Sequence, residues 1–140
     1  MTDSSKDSTS RPRAVLCLSG GMDSTVCAAL AARDYDVYAL HFSYGQRTEA
    51  KELASATEIA RLTGTKEFLP LKMDLFRRIG GSALTDEAIA VPEAPAEETA
   101  IGAEIPVTYV PFRNAHFLSA AVSWAEVELP SRANELLGVR

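Results

Sequence analysis

The stretch Ser19-Gly20-Gly21-Met22-Asp23-Ser24 decides the fold of this 140-residue chain. It follows an apolar run over residues 14–18 and opens an alanine-rich segment, an order that predicts a strand, a glycine turn and a helix. Glycines let such a turn bend sharply and approach a ligand, and the free amides at a helix start favour an anion. We therefore predict a phosphate-binding loop, in which the hydroxyls of Ser19, Ser24 and Thr25 also donate to phosphate oxygens.

Two other phosphate-binding patterns do not fit this loop. The Walker motif requires four residues between its glycines and a Lys-Ser/Thr pair after the second glycine, and this stretch has neither. The dinucleotide fingerprint requires a third glycine, which is missing here. The remaining alternative is a chance Gly-Gly turn capped by serines, which the strand before it and the helix after it disfavour.

Hydrophobic periodicity continues the alternation of strands and helices. It predicts strands over 14–18, 36–43 and 67–72, and helices over 23–33 and 48–62. This order indicates an α/β fold with a parallel sheet flanked by helices. Ligands bind beyond the carboxyl ends of such strands, so the loops over 19–24 and 44–47 should form the site.

Details of the two helices also follow from the pattern. We expect Val26, Ala29 and Leu30 to face the core from the first helix. In the second helix the inward residues should be Leu53, Ala56, Ile59 and Ala60. Thr48 is a candidate N-cap and Gly64 suits the C-terminal end.

The second half of the sequence is less regular. A glycine turn over 80–85 precedes residues 86–104, which hold six acids and no base and should form a mobile loop. Residues 105–111 should run extended, and Asn114 should cap a helix over 115–127 that is apolar nearly all round and therefore buried. We predict a disordered lead over 1–13, one domain over 14–127 that contains the phosphate-binding loop, and a divergent tail over 128–140.

Composition narrows the possible functions. A net charge of −5 argues against a protein whose direct partner is nucleic acid. No apolar run approaches the length needed to span a bilayer, and the polar start has no apolar core of a secretory signal, so we predict a cytoplasmic protein without a membrane partner. Cys17 and Cys27 should be buried as small hydrophobes, and no C-x-x-C pair predicts a zinc site.

The pattern S-G-G-x-D-S resembles the pyrophosphate-binding loop of the N-type ATP pyrophosphatase (PP-loop) superfamily. Three further segments, Phe42-Ser43-Tyr44-Gly45-Gln46-Arg47, the glycine turn over 80–85 and the stretch I-P-V-T-Y-V-P-F-R-N over 105–114, resemble the 7-cyano-7-deazaguanine synthase family in order and spacing. The resemblance runs from about residue 14 to 127. It implies an adenine nucleotide alpha hydrolase-like, Rossmann-like fold.

The resemblance also implies an activity. Enzymes of this family are ATP-dependent ligases of queuosine biosynthesis. They convert 7-carboxy-7-deazaguanine and ammonia to 7-cyano-7-deazaguanine after ATP activates the carboxylate. ATP and Mg²⁺ are the implied cofactors, with Asp23 suited to positioning the metal. The family suggests a homodimer as well.

Site residues carry over where the motifs match. The implied ATP-binding stretch is Leu18, Ser19, Gly20, Gly21, Met22, Asp23, Ser24, Thr25, Val26, Cys27 and Ala28, and the implied catalytic residues are Asp23 and Ser24. Further candidates for substrate or phosphate contacts are Tyr44, Gln46, Arg47, Arg113 and Asn114. An arginine suits a bidentate anion contact, and a tyrosine suits stacking on a purine-like ring. His41 and His116 should be structural.

The sequence departs from the family after residue 127. The family continues with another strand, a substrate segment and four cysteines that hold zinc, none of which is present here. We therefore expect an incomplete fold and a chain that is truncated at its C-terminal end. Two alternatives stay open: a truncated nucleotide-binding remnant without catalysis, and another PP-loop enzyme such as a tRNA thiolase.

Overall fold

A computed structural model describes residues 11–82, 85, 89 and 109–128. Three strands and four helices make up this part of the chain. In chain order they are β1 (Arg13–Cys17), α1 (Met22–Asp34), β2 (Asp36–Ser43), α2 (Glu49–Leu62), β3 (Glu67–Lys72), α3 (Leu75–Ile79) and α4 (Arg113–Glu128).

The strands form a parallel sheet in the order β1-β2-β3. Cys17 pairs with Leu40, and Leu40 pairs with Leu69, so the carboxyl ends of all three strands lie at one edge. The prediction of a parallel α/β sheet flanked by helices is confirmed. The predicted bounds of β2 and β3 are correct, and β1 begins and ends one residue earlier than predicted.

The core has two layers, one on each face of the sheet. The layer beneath α1 and α2 contains Leu18, Ala28, Ala39, Ala56 and Ala60. The opposite layer, which α3 and α4 cover, contains Leu40, Phe42, Tyr44, Phe76 and Val110. The first layer consists largely of alanines, which lets the two helices pack close to the sheet.

The predicted inward face of α1 is wrong. Val26 is 52% exposed and Leu30 is 55% exposed, and Ala29 is exposed as well. Ala28 is the buried residue of this helix. An alanine-rich helix has a weak apolar stripe, and here small residues rather than branched ones meet the sheet. In α2 the prediction is confirmed, because Ala56 and Ala60 are buried and Leu53 and Ile59 are half-buried.

Helix α4 is less buried than predicted. It begins at Arg113, so Asn114 lies within its first turn instead of capping it, and none of its residues is fully buried. One face packs on the sheet, where the Phe117 ring stacks on Phe42 at 4.1 Å with the planes 3° apart. Leu118 on the other face is 62% exposed. The expectation of burial on all sides fails because the described elements cover only one side.

Of the two predictions for the ends of α2, the one for the C-terminal end is confirmed, whereas the predicted side-chain cap at the N-terminal end is not formed. Thr48 occupies the N-cap position without a side-chain cap, because its hydroxyl donates to the Glu52 carboxylate instead. Gly64 fulfils the prediction, with φ of 67° and the Thr65 N–H donating to the Ala60 carbonyl oxygen at 3.0 Å. This geometry is typical of a glycine-ended helix.

The predicted lead ends too late and the predicted tail begins too early. Arg11 donates to the Ala32 carbonyl oxygen at 2.7 Å, and Arg13 already belongs to β1. Glu128 is the last residue of α4, and its carbonyl oxygen accepts a hydrogen bond from Arg13 at 2.6 Å. Several predictions fall outside the described residues. These are the remainder of the lead over 1–10, the tail over 129–140, the extended stretch over 105–108 and almost all of the acidic loop.

Candidate functional site

An open cavity of about 490 Å³ lies at the carboxyl ends of β1 and β2. Its volume falls in the ordinary range for small-molecule sites. Its walls come from four parts of the chain: the glycine loop, the ends of β1 and β2, the first turns of α2 and the first turns of α4. The lining residues are Cys17, Leu18, Ser19, Gly20, Gly21, Phe42, Tyr44, Lys51, Glu52, Ser55, Arg113, Asn114 and Phe117.

The glycine loop turns against α2. Gly20 has φ of 88°, and a Cβ placed on it would lie 2.5 Å from the Glu52 carbonyl oxygen. Ser55 also donates a hydrogen bond from Oγ to the Gly20 carbonyl oxygen at 2.8 Å. Glycine is therefore required at position 20 both for the left-handed backbone and for the close approach of α2.

The start of α1 presents unpaired amides. The first closed turn of the helix is the bond from the Thr25 N–H to the Gly21 carbonyl oxygen at 3.0 Å. The preceding N–H groups of Met22, Asp23 and Ser24 have no intrahelical acceptor, and the N-cap Gly21 supplies no side-chain cap. Such a helix start attracts an anion, since its amides and dipole both favour negative charge.

The hydroxyls of this loop have partners within the loop. Ser24 Oγ and Thr25 Oγ1 both donate to the Gly21 carbonyl oxygen, at 3.0 and 2.8 Å. Ser19 Oγ lies 3.0 Å from Ser24 Oγ and belongs to the cavity wall. Ser19 is therefore the hydroxyl best placed for a ligand, while Ser24 and Thr25 hold the loop in shape.

The remaining residues of the predicted ATP-binding stretch lie in different environments, some exposed, some in the core and some on the cavity wall. Asp23 is exposed in the first turn of α1, and Met22 is 80% exposed. Ala28 belongs to the core. Cys27 is exposed, so its predicted burial is wrong, whereas Cys17 is half-buried and lines the cavity. Burial raises the pKa of the Cys17 thiol.

Helix α2 contributes cavity residues that the sequence analysis did not identify. Lys51, Glu52 and Ser55 all line the cavity. Lys51 forms no ion pair within the described part of the chain. The available signal was the helical spacing of residues 51 and 55 just after the loop over 44–47, which places both on one face of α2.

Gln46 shapes the bend after β2. Its side chain is buried, accepts the Tyr44 N–H at 2.8 Å and donates to the Phe42 carbonyl oxygen at 3.2 Å. A further bond of 2.9 Å runs from Gln46 Nε2 to the Glu52 carboxylate. Gln46 therefore lies behind the cavity wall and orients Glu52.

Arg47 lies apart from the cavity. Its side chain is exposed and donates to the Ile89 carbonyl oxygen at 2.7 Å. Residue 47 is not part of the cavity wall, so the structure does not bring it together with the glycine loop.

Arg113 and Tyr44 meet on the wall opposite the glycine loop. Arg113 Nη1 donates to the Tyr44 hydroxyl at 3.0 Å, and its guanidinium carbon lies 5.4 Å from the centre of the Tyr44 ring. Burial raises the pKa of Tyr44, and the charge of Arg113 opposes this rise. Asn114 lies beside Arg113 and accepts from its Nε at 3.3 Å.

The two histidines have main-chain partners. His41 Nδ1 lies 3.0 Å from the Leu18 carbonyl oxygen, and His116 Nδ1 lies 3.0 Å from that of Phe112. Neither histidine lines the cavity.

Metal-binding capacity is limited within residues 11–82 and 109–128. No three His, Cys, Asp or Glu side chains gather there to hold a metal on their own. Zinc therefore has no fitting ligand set in the described residues. Mg²⁺ needs fewer protein ligands than zinc, because one carboxylate and phosphate oxygens can hold it together with retained waters. The exposed Asp23 fits the role of that carboxylate. None of the described helices has the length and apolar character that crossing a bilayer requires.

Comparison with known proteins gives a consistent result. Residues 13–133 match the family described as "Queuosine biosynthesis protein QueC". The sequence is 78% identical over 117 residues to 7-cyano-7-deazaguanine synthase of Acidobacterium capsulatum, covering 84% of this chain and 51% of that protein. It is 58% identical to the synthase of Koribacter versatilis, over 82% of this chain and 48% of that protein.

A more distant similarity follows the same pattern. The synthase of Methanosphaerula palustris is 51% identical, over 81% of this chain and 50% of that protein. The chain thus spans about half the length of the curated relatives it matches. Because the matched region includes the glycine loop, the bend after β2 and the start of α4, the chain belongs to the QueC family of queuosine biosynthesis proteins.

Proposed function

We propose that this chain forms the ATP-binding part of a 7-cyano-7-deazaguanine synthase. The reaction is the ATP-dependent conversion of 7-carboxy-7-deazaguanine and ammonia to 7-cyano-7-deazaguanine. The names of the similar proteins support this proposal. We also propose that the protein acts in the cytoplasm on these small molecules, as a homodimer and without direct contact to nucleic acid.

One observation carries the proposal: a single cavity is lined by the glycine loop that leads into α1, by Lys51 and, beyond apolar side chains, by Arg113. On one side are the glycine loop at residues 19–21 and the cation of Lys51, which suit a phosphate chain. On the other side is Arg113, whose guanidinium is held by Tyr44 and suits a carboxylate or a second phosphate. A reaction in which ATP activates a carboxylate needs sites for two anionic groups, the phosphate chain and the carboxylate, in one cavity.

The chemistry follows from these two sites. A carboxylate is a poor electrophile because its oxygen is a poor leaving group. Transfer of part of ATP to that oxygen creates a good one, and the nitrogen of ammonia then forms the C–N bond as the activated oxygen departs. Fixed N–H donors stabilise the departing phosphate charge without reorganising. A second ATP-dependent activation of the amide oxygen lets that oxygen depart with the transferred group, and loss of the two N–H protons gives the nitrile.

Mg²⁺ would neutralise phosphate charge when bound, with Asp23 as the residue that would hold it. Asp23 therefore acts on the nucleotide side of the reaction. Ser24 supports it indirectly, since its hydroxyl ties the helix start to the Gly21 carbonyl oxygen.

Calorimetry with MgATP tests the first half of the proposal. The chain should bind MgATP, and Asp23→Ala should weaken that binding. Asp34→Ala is the matched control, because Asp34 is an exposed aspartate at the opposite end of the same helix. A chain that does not bind MgATP, or an Asp34→Ala variant as impaired as Asp23→Ala, contradicts the proposal.

Product analysis tests the second half. Incubation with 7-carboxy-7-deazaguanine, ammonia and MgATP should yield the nitrile, detectable by mass spectrometry. Nucleotide binding that depends on Asp23 without any nitrile would identify a nucleotide-binding module without catalysis.

A further inference from the structure

An anion site made of main-chain amides works only if the neighbouring carbonyls point elsewhere. A trans peptide is planar, so its C=O and N–H point in opposite directions. Holding the carbonyl of one residue therefore sets the direction of the next residue's N–H. In the glycine loop the carbonyls of Leu18 and Gly20 decide where the N–H groups of Ser19 and Gly21 point.

The Leu18 carbonyl is held by a side chain from β2. The ladder between β1 and β2 ends at the pair Cys17 and Leu40, and the Leu18 N–H still donates to the Leu40 carbonyl oxygen at 2.6 Å. The Leu18 carbonyl oxygen lies 3.0 Å from His41 Nδ1. An imidazole thus continues the hydrogen bonding at the point where the main chain leaves the sheet.

Placing the His41 ring against the Leu18 carbonyl buries the other ring nitrogen in an unfavourable environment. His41 is 1% exposed, and its Nε2 is buried without a hydrogen-bond partner among the described residues. A carbonyl oxygen can only accept, so the proton must lie on Nδ1 and Nε2 must carry the buried lone pair. An unpaired buried polar atom is unfavourable, and the fold retains it together with the bond to Leu18.

The Gly20 carbonyl is held by a side chain from α2. Ser55 Oγ donates to it at 2.8 Å and directs it toward that helix. The following Gly21 N–H meets the Ser19 hydroxyl at 3.2 Å, and both residues line the cavity.

We propose that His41 and Ser55 are positioning residues that fix these two peptide planes and so keep the Leu18 and Gly20 carbonyl oxygens out of the anion site. The inference rests on the proposed function, because it deepens the binding of the phosphate chain. Without either anchor the corresponding peptide can rotate, and a carbonyl oxygen then faces the anion. His41 is not part of the cavity wall, and Ser55, which is, acts in this role through its bond to the Gly20 carbonyl oxygen.

Ser55→Ala tests one anchor directly. The change removes only the hydroxyl, and we expect the dissociation constants of inorganic pyrophosphate and MgATP to rise about threefold to tenfold, the range for one lost hydrogen bond. Ser123→Ala is the matched control, because Ser123 is exposed and its Oγ donates to the Ser119 carbonyl oxygen within α4. Binding of pyrophosphate that is unchanged in Ser55→Ala overturns the role of Ser55.

His41→Asn and His41→Leu test the other anchor as a nearly isosteric pair. Asn can donate to the Leu18 carbonyl oxygen from a position close to that of Nδ1, whereas Leu cannot. We expect Asn to recover most of the pyrophosphate affinity and Leu to lose it, with both variants compared at equal folded fraction by circular dichroism. Equal affinity of the two folded variants overturns the role of His41.

A measurement on the unmodified chain covers the case in which the His41 variants do not fold. Nitrogen-15 NMR of the histidine rings should show the Nδ1–H tautomer for His41, with His116→Gln used to assign the signals. The Nε2–H tautomer would overturn the anchor. Failure of the proposed function is distinct, because the unmodified chain would then bind neither pyrophosphate nor MgATP.

Discussion

Arg113 Nη1 donates a hydrogen bond of 3.0 Å to the Tyr44 hydroxyl, joining residues 69 positions apart in the sequence. The guanidinium also lies over the rings of Tyr44 and Phe117, at 5.4 and 5.9 Å from their centres. These contacts fix one edge of the guanidinium and leave other N–H groups for a ligand in the cavity. They also join the end of β2 to the first turn of α4.

The first prediction concerns this bond. Tyr44→Phe keeps the ring and removes the hydroxyl, so the free energy of unfolding should fall by about 0.5–1.5 kcal/mol, the net contribution of a typical hydrogen bond. Urea denaturation measures it. Tyr35→Phe, at an exposed tyrosine, is the control and should change stability by less than about 0.5 kcal/mol. Equal effects of the two changes would show that the bond to Arg113 contributes nothing.

The second prediction separates the two glycines of the loop. Gly20→Ala should destabilise the protein by more than about 2 kcal/mol, because the position has φ of 88° and its new Cβ would meet a backbone oxygen at 2.5 Å. Gly21→Ala should cost less than about 1 kcal/mol, since its φ is −82° and the nearest atom to a new Cβ is Ser19 Oγ at 3.4 Å. Thermal or urea unfolding decides, and a more stable Gly20→Ala variant would contradict the packing of α2 on the loop.

The third prediction concerns Lys51 on the cavity wall. Lys51→Gln should weaken MgATP binding about tenfold or more, because a hydrogen bond to a charged group contributes roughly 1.5–3 kcal/mol. It should also make the affinity less sensitive to salt. Lys66→Gln makes the same change of charge at a surface pair with Asp36 and should leave affinity unchanged. Similar losses in both variants would point to net charge rather than to a contact made by Lys51.

The fourth prediction is an alkaline loss of stability. Burial raises the pKa of Cys17 above its ordinary value of 9.0. The native state then holds the thiol proton more tightly than the unfolded state, so this stabilisation is complete below pH 9 and is lost as the pH rises through the raised pKa. Tyr44, whose pKa burial also raises, adds to the loss above pH 10.

Variants of the two cysteines check the thiol's part in this loss. Cys17→Ala should flatten the fall of the unfolding free energy with pH in urea titrations that run upward from pH 9.0, the thiol's reference pKa. Cys27→Ala, at the exposed cysteine, should leave the slope as it is. A slope that is unchanged in Cys17→Ala would exclude Cys17 as its source.

The central features of the fold could be read from the sequence. The glycine loop lies between a strand and a helix as predicted, and β2 and β3 have the predicted bounds. These elements have local signals: an apolar run for each strand, and Gly20 where the backbone needs a positive φ. The position of the cavity at the carboxyl ends of the strands follows from the parallel order alone.

Features that depend on tertiary packing could not be read in the same way. The face of α1 that packs on the sheet is one example. Alanines lie on most faces of this helix, so hydrophobic periodicity does not favour one face over another. The five-residue α3 is another, since its single buried residue, Phe76, gives no repeating pattern. Lys51 enters the cavity only because α2 approaches the loop at Gly20, a contact between segments distant in the sequence.

The arrangement of the cavity wall has a consequence for the order of assembly during synthesis. The loop at residues 19–21 leaves the ribosome long before Arg113 and Phe117, which complete the opposite wall. Bringing these parts together closes a long stretch of chain, a slow step compared with forming the local strand and helix. A nascent chain that ends before α4 should therefore carry the glycine loop without its enclosure, and become competent for ligands only when α4 docks.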